Sequence, residues 1–227
     1  MKTSLLRVAV EPHCLIVRFP GMFDCVSWAS WKGGSVSASA VLNCQVGLHG
    51  PDSPEVFVDE VGRLCRVHAL VPEETIGLLT AAKVAAYKEC VLFSADAWVH
   101  VVATIGLANA RSVLDEADVE LGAGCSRAGT VNLVVATNAL PLLEGRLQAV
   151  AIAASAKTAA FRDHGVRSRK SHRSADVTGT DCIVVAASGE VMEDHCGLHT
   201  VLGEMIGRAV YASVTQGIEA CSKACSR

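Results

Sequence analysis

The chain has 227 residues, 51% of them hydrophobic, enough to bury a substantial core in one domain spanning residues 1–227. Its net charge of -3 supplies no excess of Lys and Arg to neutralise phosphates, which argues against a nucleic-acid partner. No run approaches the roughly 20 apolar residues that span a bilayer. The opening segment, broken by Arg7, Glu11, Pro12 and Arg18, resembles neither a signal peptide nor a membrane anchor.

In chain order, residues 5–10 and 14–19 are short apolar or alternating runs separated by Glu11, Pro12 and His13, which predicts an opening hairpin. Residues 40–46, 99–105, 131–136 and 182–187 are further Val-, Ile- and Leu-rich runs flanked by small polar residues, and they predict the strands of a central sheet. Apolar residues recur at threes and fours over residues 54–64, 142–161 and 202–214, which predicts helices; Pro54 suits a first turn and Gly165 a stop. Residues 115–128, acidic and carrying Gly122 and Gly124, read as a surface loop. The run 167–174 cannot bury its charges and reads as an exposed loop, more a solvated face than a binding patch. Together these predict an α+β, or mixed α/β, single domain: a central mixed, largely antiparallel sheet packed against helices.

Ten cysteines sit mostly inside apolar runs (Cys14, Cys25, Cys44, Cys90, Cys182), as small hydrophobes do, so a reducing cytoplasm is the expected compartment. No Cys-x-x-Cys, HExxH, Walker or GxGxxG motif occurs; Cys221 and Cys225 read as helix-tail thiols.

Residues 197–211, Gly-Leu-His-Thr followed by Val-Leu-Gly-Glu-Met-Ile-Gly-Arg-Ala-Val-Tyr, closely resemble a Gly-Thr-His-Thr…Leu-Gly-Glu-Leu-Ile-Gly-Arg-Ala-Val-Tyr pattern. Upstream, Ala156-Lys157-Thr158-Ala159-Ala160 and Thr178-Gly179-Thr180-Asp181 match two more segments, in order and spacing, of the adenosylcobinamide amidohydrolase family. Weaker matches are residues 77–82, residues 104–110 with Asn109, and Gly129-Thr130-Val131-Asn132. The chain departs from the pattern at Ser155, usually Glu, and at Asp176 and Val177, usually Thr and Gly.

The resemblance implies hydrolysis of the amide joining aminopropanol to the corrin ring, giving adenosylcobyric acid for cobinamide salvage. No cofactor is implied, since the cobalt belongs to the corrinoid substrate; self-association is left open. Two alternatives stand beside this: a corrinoid-binding relative without activity, motivated by the three departures, and an amidohydrolase of another amide.

Amide cleavage needs a nucleophile or activated water, a base, an acid for the leaving amine and donors for the oxyanion. His199, beside Gly197 and Thr200 at a helix start, is the first candidate for general acid or base, or else a cap or surface residue. Glu204, five residues on, lies on another helix face and is either an orienting group or an exposed charge. Asp181, at a strand mouth, either orients His199 or holds a water, or caps a turn. Lys157, among alanines, either pairs with a carboxylate such as Asp181 or reaches solvent along its stem. Thr130 is a candidate hydroxyl nucleophile with Asn132 as oxyanion donor, or a strand-start threonine. Thr178 and Thr180 are candidate donors to substrate amides, and Gly179 and Gly197 would let backbone approach a large flat ligand. A metal-bound water held by His195, His199 and Asp181 is a further alternative, against which Gly197 interrupts the helical spacing.

Overall fold

The computed structural model describes residues 5–47, 54–118, 130–140 and 142–225. Its main sheet contains β1 (Arg7–Glu11), β2 (Cys14–Ser27), β3 (Gly34–Gln45), β4 (Thr75–Thr80), β5 (Lys88–Ser94), β6 (Ala97–Ile105), β8 (Val131–Thr137) and β10 (Cys182–Ala187). A small ribbon joins β7 (Ala110–Arg111) to β9 (Val177–Thr178), and the helices are α1 (Pro54–Val67), α2 (Leu143–Asp163) and α3 (Val201–Cys225). Gly122, Gly124 and Gly129 lie outside the described residues.

The expected hairpin is β1 with β2, turning over Pro12 and His13, the latter at φ 65°. β2 then continues well past the predicted run, because its register on β3 slips between Arg18 and Phe23. Its first half lies between β1 and β3, its second between β3 and β10. The strand order is β4-β3-β2-β10-β8-β6-β5, parallel at β3–β4 and β8–β10 and antiparallel elsewhere, so the sheet is mixed and largely antiparallel as the sequence predicts.

Side-chain alternation assigns each face its cover. Ile183 and Val185 of β10 point toward α2 and α3, joining Leu133, Val135, Phe161 and Ile206. Cys182, Val184 and Ala186 point the other way and meet Leu15, Val17, Ile76, Leu78 and Trp98. That second cluster draws on strands from β4 to β6, so the sheet curls around a core of its own. On the outside of β2 and β3, Ile16 and Leu42 pack under Phe57, Val61 and Leu64 of α1.

A buried polar seam closes the curl. Asn132 Nδ2 donates to Leu79 O (2.8 Å) and to Asn43 Oδ1 (2.9 Å), and Asn43 Nδ2 donates to Thr104 Oγ1 (2.9 Å). These bonds tie β8 and β6 to β3 and β4 across the interior.

Two strands of the main sheet escape the sequence patterns. β5 is a half-exposed edge strand with no clean alternation, and β4 reads as a short apolar stretch broken by Gly77, which has no room for a side chain beside Trp31. α3 runs past its predicted run to Cys225, and Gly217 lets it lie flush against Ile105, where a Cβ would sit 2.1 Å from that side chain. Among the described residues no helix is long and apolar enough to cross a membrane. Burial pushes the thiols of Cys25, Cys44 and Cys182 up to about 12, which leaves them as inert packing groups.

Replacing Asn43 by Ala strands the polar groups of Asn132 and Thr104. The expected loss is about 1–3 kcal/mol, read as a lower urea midpoint with an unchanged slope.

Candidate functional site

β8 and β10 are parallel, with Asn132 opposite Cys182, so the segments leading into them, at Thr130 and residues 178–181, converge at one mouth of the sheet. Lys157 reaches this mouth from α2 and is only 3% exposed. It pairs with Asp181 Oδ2, the first of the two dispositions its sequence setting leaves open. Asp181 Oδ2 also accepts from the Thr178 backbone N–H (3.1 Å), while Oδ1 accepts from Val131 N–H (3.1 Å) and from the Thr178 hydroxyl. Four donors occupy the roughly four lone-pair sites of a carboxylate. Asp181 therefore fixes Lys157 and two backbone segments.

Around this pair, Thr130 Oγ1 donates to Thr180 O (2.6 Å) and lies 3.2 Å from Asn132 Oδ1. Asn132 spends its amide on the seam described above. Gly179 donates to Asn109 O (3.0 Å), and a Cβ at Gly179 would fall 2.6 Å from Asn109 Nδ2, so the close approach requires glycine. Thr180 Oγ1 is buried and, among the described residues, without a partner. Eight of the sequence candidates thus gather here: Lys157, Asp181, Thr130, Thr178, Gly179, Thr180, Asn132 and Asn109.

The other four stand elsewhere. His199 is exposed in the turn before α3; Thr200 caps that helix, accepting from Gly203 N–H (3.0 Å) and donating to Gly197 O (2.9 Å). Glu204 is on the surface with Arg208 (3.1 Å). This group follows the far ends of β8 and β10, where Val191 N–H bonds Asn138 O (2.8 Å) and Cys196 N–H bonds Gln148 Oε1 (3.0 Å). The seven residues of β8 put about 20 Å between the two ends. Asp181 consequently does not orient His199, and His195, His199 and Asp181 do not converge as a metal site would require.

The comparisons with known proteins bear on the whole chain. A model of the adenosylcobinamide amidohydrolase family matches residues 2–226. This chain belongs to that family. An uncharacterized protein of Methanocaldococcus jannaschii is 41% identical over 92 residues, covering 40% of this chain and only 36% of that relative's own length. The crystal structure of a Pyrococcus horikoshii protein aligns at TM-score 0.47 and 11% identity over 91% of this chain and 77% of that one.

The three departures from the family pattern take defined places. Ser155 is exposed on α2 and donates to Ala151 O (2.9 Å). Val177 is extended and pairs with Arg111, so its backbone needs no positive φ. Asp176 is buried, accepting from Arg162 Nε and Nη2 (3.2 and 2.8 Å), Val113 N–H (3.1 Å) and Ser112 Oγ (3.3 Å). Burial works to raise its pKa, but these bonds outweigh it and hold the carboxyl below its ordinary range. The basic run 167–174 is exposed except at the buried Ser168, and is stitched to the acidic segment through Ser168 to Asp115 (2.5 Å) and Lys170 to Asp118 (2.9 Å).

Two residues of the site were not marked by the sequence reading. Asn43 is a polar residue in an apolar strand run, a signal that was there to be used. Trp28 carries no local signal: its indole N–H donates to Asp181 O (2.6 Å) across 153 positions.

Removing one partner of the buried pair, as in Lys157→Met, is expected to cost about 3–5 kcal/mol, measured by chemical denaturation. Asp176 titrates lower in the folded state than the unfolded value of about 3.9. Its contribution is therefore complete above that value and lost as pH falls through the folded pKa. Asp176→Asn should lower stability at neutral pH and flatten the acid limb of the stability–pH curve.

Proposed function

We propose that this chain hydrolyses the aminopropanol amide of adenosylcobinamide to adenosylcobyric acid, as a step of cobinamide salvage. Water adds to the amide carbonyl, the carbon–nitrogen bond breaks, and carboxylate and aminopropanol ammonium leave. The observation carrying this reading is the family match along almost the whole chain, within which Lys157, Asp181, Thr178 and Thr130 meet at one mouth.

In this reading the Lys157 ammonium, held in place by Asp181, receives the negative charge that develops on the carbonyl oxygen. A cation in a dry site favours such a transition state far more than one in water does. Thr130 and Thr180 supply hydroxyls beside it, and Gly179 leaves room for the substrate arm. Asp181 acts through Lys157. The three departures do not disrupt this arrangement: Ser155 is on the solvent face, Val177 keeps its strand, and Asp176 is locked to Arg162.

A second reading places the chemistry at His199. It is favoured by the exposed apolar side chains Leu142, Leu143, Leu147, Met192, Leu198 and Val201 on the segments that carry and flank His199, a surface a flat ligand can cover.

The test is incubation with adenosylcobinamide, with and without chelator, and chromatography for adenosylcobyric acid. Lys157→Arg keeps the charge but displaces the donor, and should lower kcat by about 100-fold or more, while His199→Ala stays within about threefold, short of the loss of an acid–base group. The reverse pattern would move the centre to the α3 end. Corrinoid binding without product would leave a binding protein, and turnover of simple amides without corrinoid affinity would leave another amidohydrolase.

A further inference from the structure

The turn between β2 and β3 holds two of the chain's three tryptophans, Trp28 and Trp31. It is pinned at both. Trp31 exchanges backbone hydrogen bonds with Gly77 of β4 (3.2 and 3.0 Å), and Gly77 has no space for a side chain because Trp31 Cβ occupies it. Trp28 donates its indole N–H to the carbonyl oxygen of Asp181 (2.6 Å) and is nevertheless 53% exposed. Between them the turn is tight: a Cβ at Gly33 would lie 2.6 Å from Ala29 O.

Single exposed apolar side chains are ordinary, so the exposure of Trp28 by itself indicates nothing. Its fixation does. The backbone of the same residue whose carboxylate holds Lys157 anchors the indole edge, so the ring is set against the rim of the buried polar cluster. Beside it, Gly179 is exposed and Thr180 half-buried, which leaves the rim open. An immobilised aromatic surface next to a buried cation suits a ligand that is flat and apolar on one part and carries an amide arm on another.

We propose that Trp28 is a substrate-binding residue whose ring stacks on the flat macrocycle of the corrinoid while the amide arm enters toward Lys157. This rests on the functional reading above. The indole is available before the ligand arrives, so little ordering is required on binding.

The experiment measures the Kd of adenosylcobinamide by visible absorption, and KM and kcat by product formation, for the full chain and for Trp28→Ala and Trp28→Phe. Thermal melting checks that each variant is folded. Loss of an aromatic contact of this kind should raise Kd and KM by roughly tenfold in Trp28→Ala, with a much smaller change in kcat. Trp28→Phe keeps a ring but not the hydrogen bond, and should recover most of the affinity. Unchanged Kd and KM in Trp28→Ala would overturn the inference and leave the functional reading standing. A fall in kcat shared equally by both variants would overturn it too, since Trp28 would then act only through Asp181. Wild-type protein that neither binds nor converts the corrinoid would overturn both.

Discussion

A buried ammonium beside a buried carboxylate is the constraint around which this fold is arranged. Lys157 and Asp181 are both shielded from water, and such a pair persists only when the remaining lone pairs are also satisfied. Here Val131, Thr178 and Lys157 supply that satisfaction from three separate segments: the start of β8, the end of β9 and the middle of α2. Meeting this demand requires β8 and β10 to be neighbours and parallel, and requires α2 to cross them on the outer face. The layer order of the molecule follows from a local electrostatic need.

The same arrangement separates motifs that read as one site in the chain. His199 and Asp181 are 18 positions apart in sequence (199 − 181), yet β10 runs between them and carries them to opposite ends of the sheet. A strand is a spacer as much as a building block. Thr200 and Gly203, which look like part of a reactive motif, serve as the cap and close-packed first turn of α3. Motif similarity therefore covers two physically distinct tasks: holding a buried charge at one mouth, and seating a helix start at the other.

What the sequence disclosed was what depends on neighbours in the chain. β10 matches its predicted run, Gly165 takes a positive φ after α2, and the opening hairpin turns where Pro12 and His13 stand. Lys157 announced itself because a lone cation in an alanine-rich helix demands a partner, and Asp181 could be named as one. The bulge that lengthens β2, the edge strand β5 and the role of Trp28 were hidden, while Asn43, polar in an apolar run, gave a signal without its partners. Asn43 and Trp28 depend on partners far away: Asn43 meets Thr104 and Asn132, and Trp28 meets Asp181. Periodicity reports which face a residue turns inward, and it cannot say what waits there.

The kink in β2 has a consequence for how the chain comes together in time. β1, β2 and β3 pair locally and can form as soon as they are made, but the second half of β2 has its other neighbour in β10, at residues 185–187. Until that strand emerges from the ribosome, the edge at Asp24 to Val26 has no covering strand, and β8 lacks the parallel partner that holds its start against Asp181. Loop closure over so many residues is slow, and unpaired edges meanwhile invite other chains. The sheet cannot close until residues 185–187 have been made, so the growing chain depends on its first hairpins remaining soluble while they wait.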